Sequence, residues 1–196
     1  MQLNKIASAI IMSLMWTGVA WGADNYVIDP VHSTVGFAVR HLVISNVKGK
    51  FKEFSGTIAY DPQDITKSSV TVTIKAASID TGDNERDKHL RSADFLAADQ
   101  YPEIKFVSKR IQKKGSGYIC VGDLTIRGVT KEVAIPFKIT GTIKDPWGNT
   151  RLGAEGSLSI NRQHYGVSWN RNLDAGGVVV GDTVNIELIV EAIKKK

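Results

Sequence analysis

Cysteine is almost missing from this chain of 196 residues: Cys120 stands alone. No internal disulfide can staple the fold, so stability has to come from packing and sheet closure. Within Tyr118-Ile119-Cys120-Val121-Gly122-Asp123-Leu124 the thiol falls in strand alternation, which reads as a small buried residue rather than a reactive one. Also absent are a low-complexity linker, an internal repeat and any Arg/Lys cluster interleaved with aromatic residues. The chain therefore reads as one domain with no nucleic-acid surface. The formal charge is only +5, and Lys194-Lys195-Lys196 carry much of it as a solvated tail.

Long apolar runs are lacking beyond the amino terminus, which favours a soluble exported protein over a membrane protein. The one short run, Ile6 to Trp16, follows Lys5 and precedes Ala20-Trp21-Gly22, a small-x-small pattern. This is the form of a secretory signal peptide over residues 1–22, cleaved after Gly22, with one domain over residues 23–196. An uncleaved anchor is the alternative reading.

What the chain does have is alternation with a period of two. Val35, Phe37 and Val39 share one face, with Ser33 and His41 at its ends, which puts His41 near a rim. Val70, Val72, Ile74 and Ala76 form the cleanest face, and Ile104 with Phe106, the set Leu152 to Ile160, and Val184, Ile186, Leu188 and Val190 repeat the pattern. Pro136 cannot donate to a ladder and is expected at an edge, bulge or rim. About eight strands joined by short Gly, Pro, Asn or Asp turns imply an antiparallel up-and-down order. Closure into a barrel removes the free edges, although a sandwich satisfies the same periodicity.

One stretch breaks the alternation, Ile79 to Leu96. Thr81 or Asp83 can cap a helix, Asp83 and Glu85 suit its first turn, and Lys88, His89 and Arg91 follow the sign of the helix dipole. Ser92 caps a second turn presenting Phe95 and Leu96, and Pro102 restarts extended chain. A short helical insert near residues 82–97 in an all-β chain is a candidate lid.

Catalytic and metal patterns are weak. Of the four histidines, His32 and His41 fall on opposite faces if they share a strand, and only Glu85 and His89 have an i,i+4 spacing, which suits a helix-stabilising pair; no metal site is assigned. Asp29, His32 and Ser33 are the residue types of a hydrolase triad, but strand neighbours point to alternate faces and there is no Gly-x-Ser-x-Gly elbow. No catalytic residue is assigned, and the chain reads as a binding protein rather than an enzyme. Phe37, Val39, Val72, Ile74 and Phe106 are either packed core or the wall of a binding site. His41, Asp83, Arg86 and His89 either meet a ligand head group at a mouth or are solvated lid charges. Trp147 and Trp169 are rim anchors or fill core and turn positions.

A family resemblance narrows these alternatives. Asp29-Pro30-Val31-His32-Ser33 with Phe37 and His41-Leu42, Glu85-Arg86-Asp87-Lys88-His89-Leu90 through Asp94-Phe95, and Tyr101-Pro102 with Phe106 resemble the YceI-like polyisoprenoid-binding family. So do Gly122-Asp123-Leu124-Thr125 with Gly128-Val129-Thr130-Lys131, and the closing strand into Val190-Glu191-Ala192. The resemblance implies an extended, eight-stranded, lipocalin-like antiparallel β-barrel in the periplasm of a Gram-negative bacterium, enclosing a polyprenyl or other long-chain lipid and no other cofactor. The expected ligand contacts are then Phe37, Val39, His41, Val72, Ile74, Asp83, Arg86, His89, Phe95, Phe106 and Trp169. Family members associated with membrane cytochrome b partners make a redox interaction module, or a role in a stress response, the alternative function. A homodimer through a Val-rich edge is also expected to be possible.

Overall fold

The computed structural model describes residues 22–172 and 176–196; the expected leader, residues 1–22, lies outside them apart from Gly22. The apolar side chains that alternate along each strand are buried together by rolling the sheet into a tube. Strands β1 (Asp24–Ile28) and β2 (Thr34–His41) run end to end along one side of the last strand, β11 (Val180–Lys194). Ile28 lies opposite Ala192, and Thr34 opposite Ile189. Strands β3 (Ser45–Phe51) and β4 (Phe54–Tyr60) return as a second broken strand, against β2 and β1 respectively. A third consists of β5 (Ser69–Lys75) and β6 (Ile79–Asp80).

Four long strands and β11 complete the tube: β7 (Glu103–Lys114), β8 (Gly117–Ile126), β9 (Val129–Lys144) and β10 (Thr150–Asn161). The ring β1-β4-β5-β7-β8-β9-β10-β11 closes through the β1–β11 ladder, and every pairing is antiparallel. Eleven ladder segments thus make the expected eight-stranded all-β barrel.

The break between β1 and β2 has a chemical cause. Pro30 has no N–H, and Asp29 Oδ1 accepts from the Val31 N–H at 3.0 Å, turning the chain off the ladder. Ser33 then repairs it: its hydroxyl donates to the Glu191 carbonyl at 3.1 Å and accepts from the Glu191 N–H at 2.9 Å. Pro136 sits where the β9–β10 ladder stops, one residue before the Phe137–Gly156 pair, so its missing donor falls at an edge as expected.

One end of the tube is packed shut. Tyr26, Leu152 and Ala192 are essentially inaccessible there, joined by Ile28 and Tyr60, and the Tyr26 and Tyr60 rings meet edge to face at 6.0 Å. The other end carries the insert. Helix α1 (Asn84–Arg91) is capped by Asp83, whose carboxylate accepts from the Arg86 N–H at 2.9 Å, and Ser92 closes it by donating to the His89 carbonyl at 2.8 Å. Glu85 and Asp87 lie in its first turn and Lys88, His89 and Arg91 in its last, matching the helix dipole.

Candidate binding cavity

Because the tube is closed and its inward side chains are mostly Val, Ile, Leu and Phe, what it encloses is apolar space. A cavity of about 490 Å³ runs from Ile28, Tyr60 and Leu152 at the packed end to Trp169 and Val180 at the helix end. The wall residues from Val180 to Val190 span ten steps of β11, about 25 Å of barrel axis at ~3.3 Å per residue and a strand tilt of about 40°. Inward-facing Val35, Phe37, Val39, Val184, Ile186 and Leu188 are only half-buried although they point into the barrel. A packed core would bury them, so they form a wall rather than a filling.

Of the sequence-derived ligand contacts, all but one line the cavity. Phe37, Val39, His41, Val72, Ile74, Arg86, His89, Phe95, Phe106 and Trp169 all line the cavity. Asp83 does not; its carboxylate is spent on the helix cap, and its side chain is exposed. Phe37 owes its position to a glycine: a Cβ at Gly49, directly opposite on β3, would lie 2.5 Å from Phe37 Cζ. Trp147 is 79 % exposed on the β9–β10 turn beside the packed end, away from the helix end that Trp169 occupies.

The insert covers the helix end through two kinds of contact. Leu90, Phe95 and Leu96 face the cavity. The helix itself is polar, and its only buried residue is Asp87, so hydrogen bonds grip it. Asp87 accepts from the Thr81 N–H and hydroxyl at 2.9 and 2.6 Å, and Arg86 Nε donates to the Thr81 hydroxyl at 2.7 Å. Arg91 donates to the Ala77 and Ile79 carbonyls. Across the opening, the rings of His89, Phe95 and Trp169 form a triangle with centroids 5.0, 4.9 and 5.2 Å apart, and His89 Nε2 lies 2.8 Å from an Asp94 carboxylate oxygen. Arg40, His41, Arg86 and His89 give this end a polar, partly exposed rim above an apolar interior.

Two arginines essential to this arrangement escape sequence reasoning. Arg162, 5 % exposed, donates to the carbonyls of Val167, Trp169, Val180 and Gly181, which fixes the loop carrying Trp169 against the start of β11. Burial lowers its pKa, against the opposing pull of Asp182. Arg127 donates to the Phe95 carbonyl at 2.9 Å and the Gly166 carbonyl at 2.8 Å, stitching the lid turn to that same loop.

The conspicuous polar motif lies elsewhere and has a structural role. Arg151 donates to Asp145 at 2.7 Å, to Asp29 at 3.0 Å and to Glu191. Burial alone would raise the Asp145 carboxyl, but hydrogen bonds from Arg151 and Asn149 outweigh it and hold the group at about 2. The hydrogen bond from His32 lowers Asp29 most, burial opposes it, and Val31 and Arg151 add to the lowering. Asp29, His32 and Glu191 are close enough together to share an ion, yet the Arg151 guanidinium already bridges the two carboxylates. Ser33 is bonded to the Glu191 backbone, so it forms no relay with His32. Cys120 lines the cavity wall, and burial pushes its thiol up to about 11.

Residues 26–192 match the family model for a YceI-like domain. The chain belongs to the YceI-like family. It is 45 % identical over 145 residues to a UPF0312 protein of Photorhabdus laumondii, covering 73 % of this chain and 76 % of that one. Its fold is similar to the crystal structure of Burkholderia cenocepacia BcnA, with a TM-score of 0.74 and 27 % identity over 84 % of this chain and 98 % of that one. It also resembles a polyisoprenoid-binding domain from Saccharophagus degradans, TM-score 0.66 over 87 % of this chain and 98 % of that one; at 16 % identity that likeness concerns the fold.

Proposed function

We propose that this YceI-like protein is a non-enzymatic carrier, exported to the periplasm, that holds one isoprenoid-like or other long-chain lipid inside its barrel. The observation that carries this reading is the cavity: about 490 Å³ walled mostly by aliphatic and aromatic side chains, with Arg40, His41, Arg86 and His89 gathered at the helix end. When empty, such a lumen leaves hydrocarbon surface in contact with water, which favours an apolar occupant. Each five-carbon isoprene unit would contribute roughly 4 kcal/mol gross at ~0.8 kcal/mol per CH₂. Net affinity is much smaller, because ordering a flexible chain opposes binding. Cavity length, rather than hydrogen bonding, then selects chain length.

Native mass spectrometry of the purified protein tests this. A mass increment removed by organic extraction, with a prenyl or acyl lipid in the extract, is the expected result, and the same spectrum reads whether a homodimer forms. Protein that is empty and takes up neither lipid class would overturn the carrier reading. It would favour an interaction module serving a membrane redox partner, for which Ile143 and Trp147, 69 % and 79 % exposed beside the packed end, offer a surface.

A further inference from the structure

The hairpin joining β2 to β3 carries residues that do not suit its shape. Leu42 and Val43 both stand in the left-handed region, at φ 49° and 63°, and the Ile44 N–H donates to the His41 carbonyl at 3.1 Å. Two successive positive φ values are what a tight hairpin asks of Asn-Gly; a β-branched residue is strained there. Burial offers no compensation, since Leu42, Val43 and Ile44 are 36 %, 53 % and 79 % exposed. Folding therefore does not account for three consecutive aliphatic residues at this tip.

The tip stands at the helix end of the barrel. Arg40 and His41, which lead into it, line the cavity, and Arg40 Nε donates to the Val43 carbonyl at 2.9 Å. The Leu42 N–H donates to the carbonyl of Val179, itself a wall residue, at 2.9 Å. Within the hairpin itself the charge has one sign. From Pro30 to Lys52 the sequence holds Arg40, Lys48, Lys50 and Lys52 and no Asp or Glu. Among the described residues, only Lys52 of these has a carboxylate partner, Asp80 at 3.4 Å.

We propose that this tip is a membrane-docking foot. Leu42, Val43 and Ile44 enter the headgroup boundary of an anionic bilayer, Arg40, Lys48 and Lys50 face lipid phosphates, and cargo passes between bilayer and cavity without crossing water. The proposal rests on the lipid-carrier reading. A narrow aliphatic turn flanked by Arg40, Lys48 and Lys50, which have no carboxylate partner among the described residues, suits a fluid apolar boundary under anionic headgroups better than the shaped pocket of a protein partner.

The test is the double variant Leu42→Asn with Val43→Gly, assayed on vesicles of phosphatidylethanolamine with and without phosphatidylglycerol. A fluorescent prenol serves as probe, offered once in vesicles and once in detergent solution. The variant is expected to melt at or a few degrees above the parent, because Asn-Gly relieves the turn, and to take up detergent-solubilised prenol normally. Flotation with the anionic vesicles and prenol transfer from them should fall about tenfold or more, and parent binding should weaken with salt. Unchanged flotation and transfer in the variant would overturn the foot. So would a parent that loads prenol from detergent yet never floats with pure lipid, an outcome that leaves the carrier reading standing and points to a protein receptor. Failure to load from detergent would instead count against the carrier reading, while flotation would still report on the foot.

Discussion

At the scale of single residues, the acid response centres on Asp145. Its folded pKa of about 2 lies below the ordinary 3.8, so its contribution is complete above about pH 4 and is lost as pH falls toward 2. Asp29 is lowered too and acts in the same direction. Thermal melts from neutral to acid pH should show the midpoint dropping across that window, and Asp145→Asn should flatten the drop while lowering the midpoint at neutral pH. An acid limb that persists unchanged in the variant would assign it to other carboxylates. Cys120, with its thiol at about 11 inside the wall, should resist alkylation at neutral pH until the protein is opened by denaturant. What was legible at this scale divides along physical lines. Phe37, Val72 and Phe106 are readable because alternation is local. Arg127, Arg151 and Arg162 are not, because the carbonyls and carboxylates they satisfy lie up to 122 positions away in sequence. Asp83 is readable as a cap, and the structure places it at the helix cap and outside the cavity lining.

At the scale of elements, the helical insert stands outside the barrel's ladders. It is tied down by side chain to backbone bonds, with Arg127 holding the Phe95 carbonyl and Arg91 holding Ala77 and Ile79. Arg127→Gln removes charge-assisted bonds worth roughly 1.5–3 kcal/mol. Hydrogen exchange over residues 82–98 should accelerate while the ladders of β7 to β11 stay protected. Phe95→Asp places a carboxylate in the His89 and Trp169 triangle and should release bound lipid faster than it lowers the melting midpoint. Equal lipid retention would make the insert a fixed plug. The insert itself was legible because its cap, its charge order and Pro102 are all local signals. The three broken strands were not: Ser33 can replace a ladder pair only once Glu191, 158 residues away, lies beside it.

At the scale of the whole molecule, the carrier reading sets stability and function in opposition through the cavity. The packed end, where Tyr26 and Leu152 are fully buried, holds the barrel closed, while the half-buried wall of β2 and β11 contributes less than its composition allows. Filling the void should therefore stabilise the empty protein and disable it. Val184→Phe projects a ring into the cavity from the middle of that wall. Against delipidated parent protein we expect it to add about 0.5–2 kcal/mol. Its capacity for prenol taken from detergent should drop, with the longest chains lost first. Lipid should raise the parent's midpoint in proportion to the logarithm of its free concentration, and this rise should shrink in the variant. Were Val184→Phe to destabilise the empty barrel as an overpacked core would, the interior would be full already, and the half-exposed wall would need another explanation.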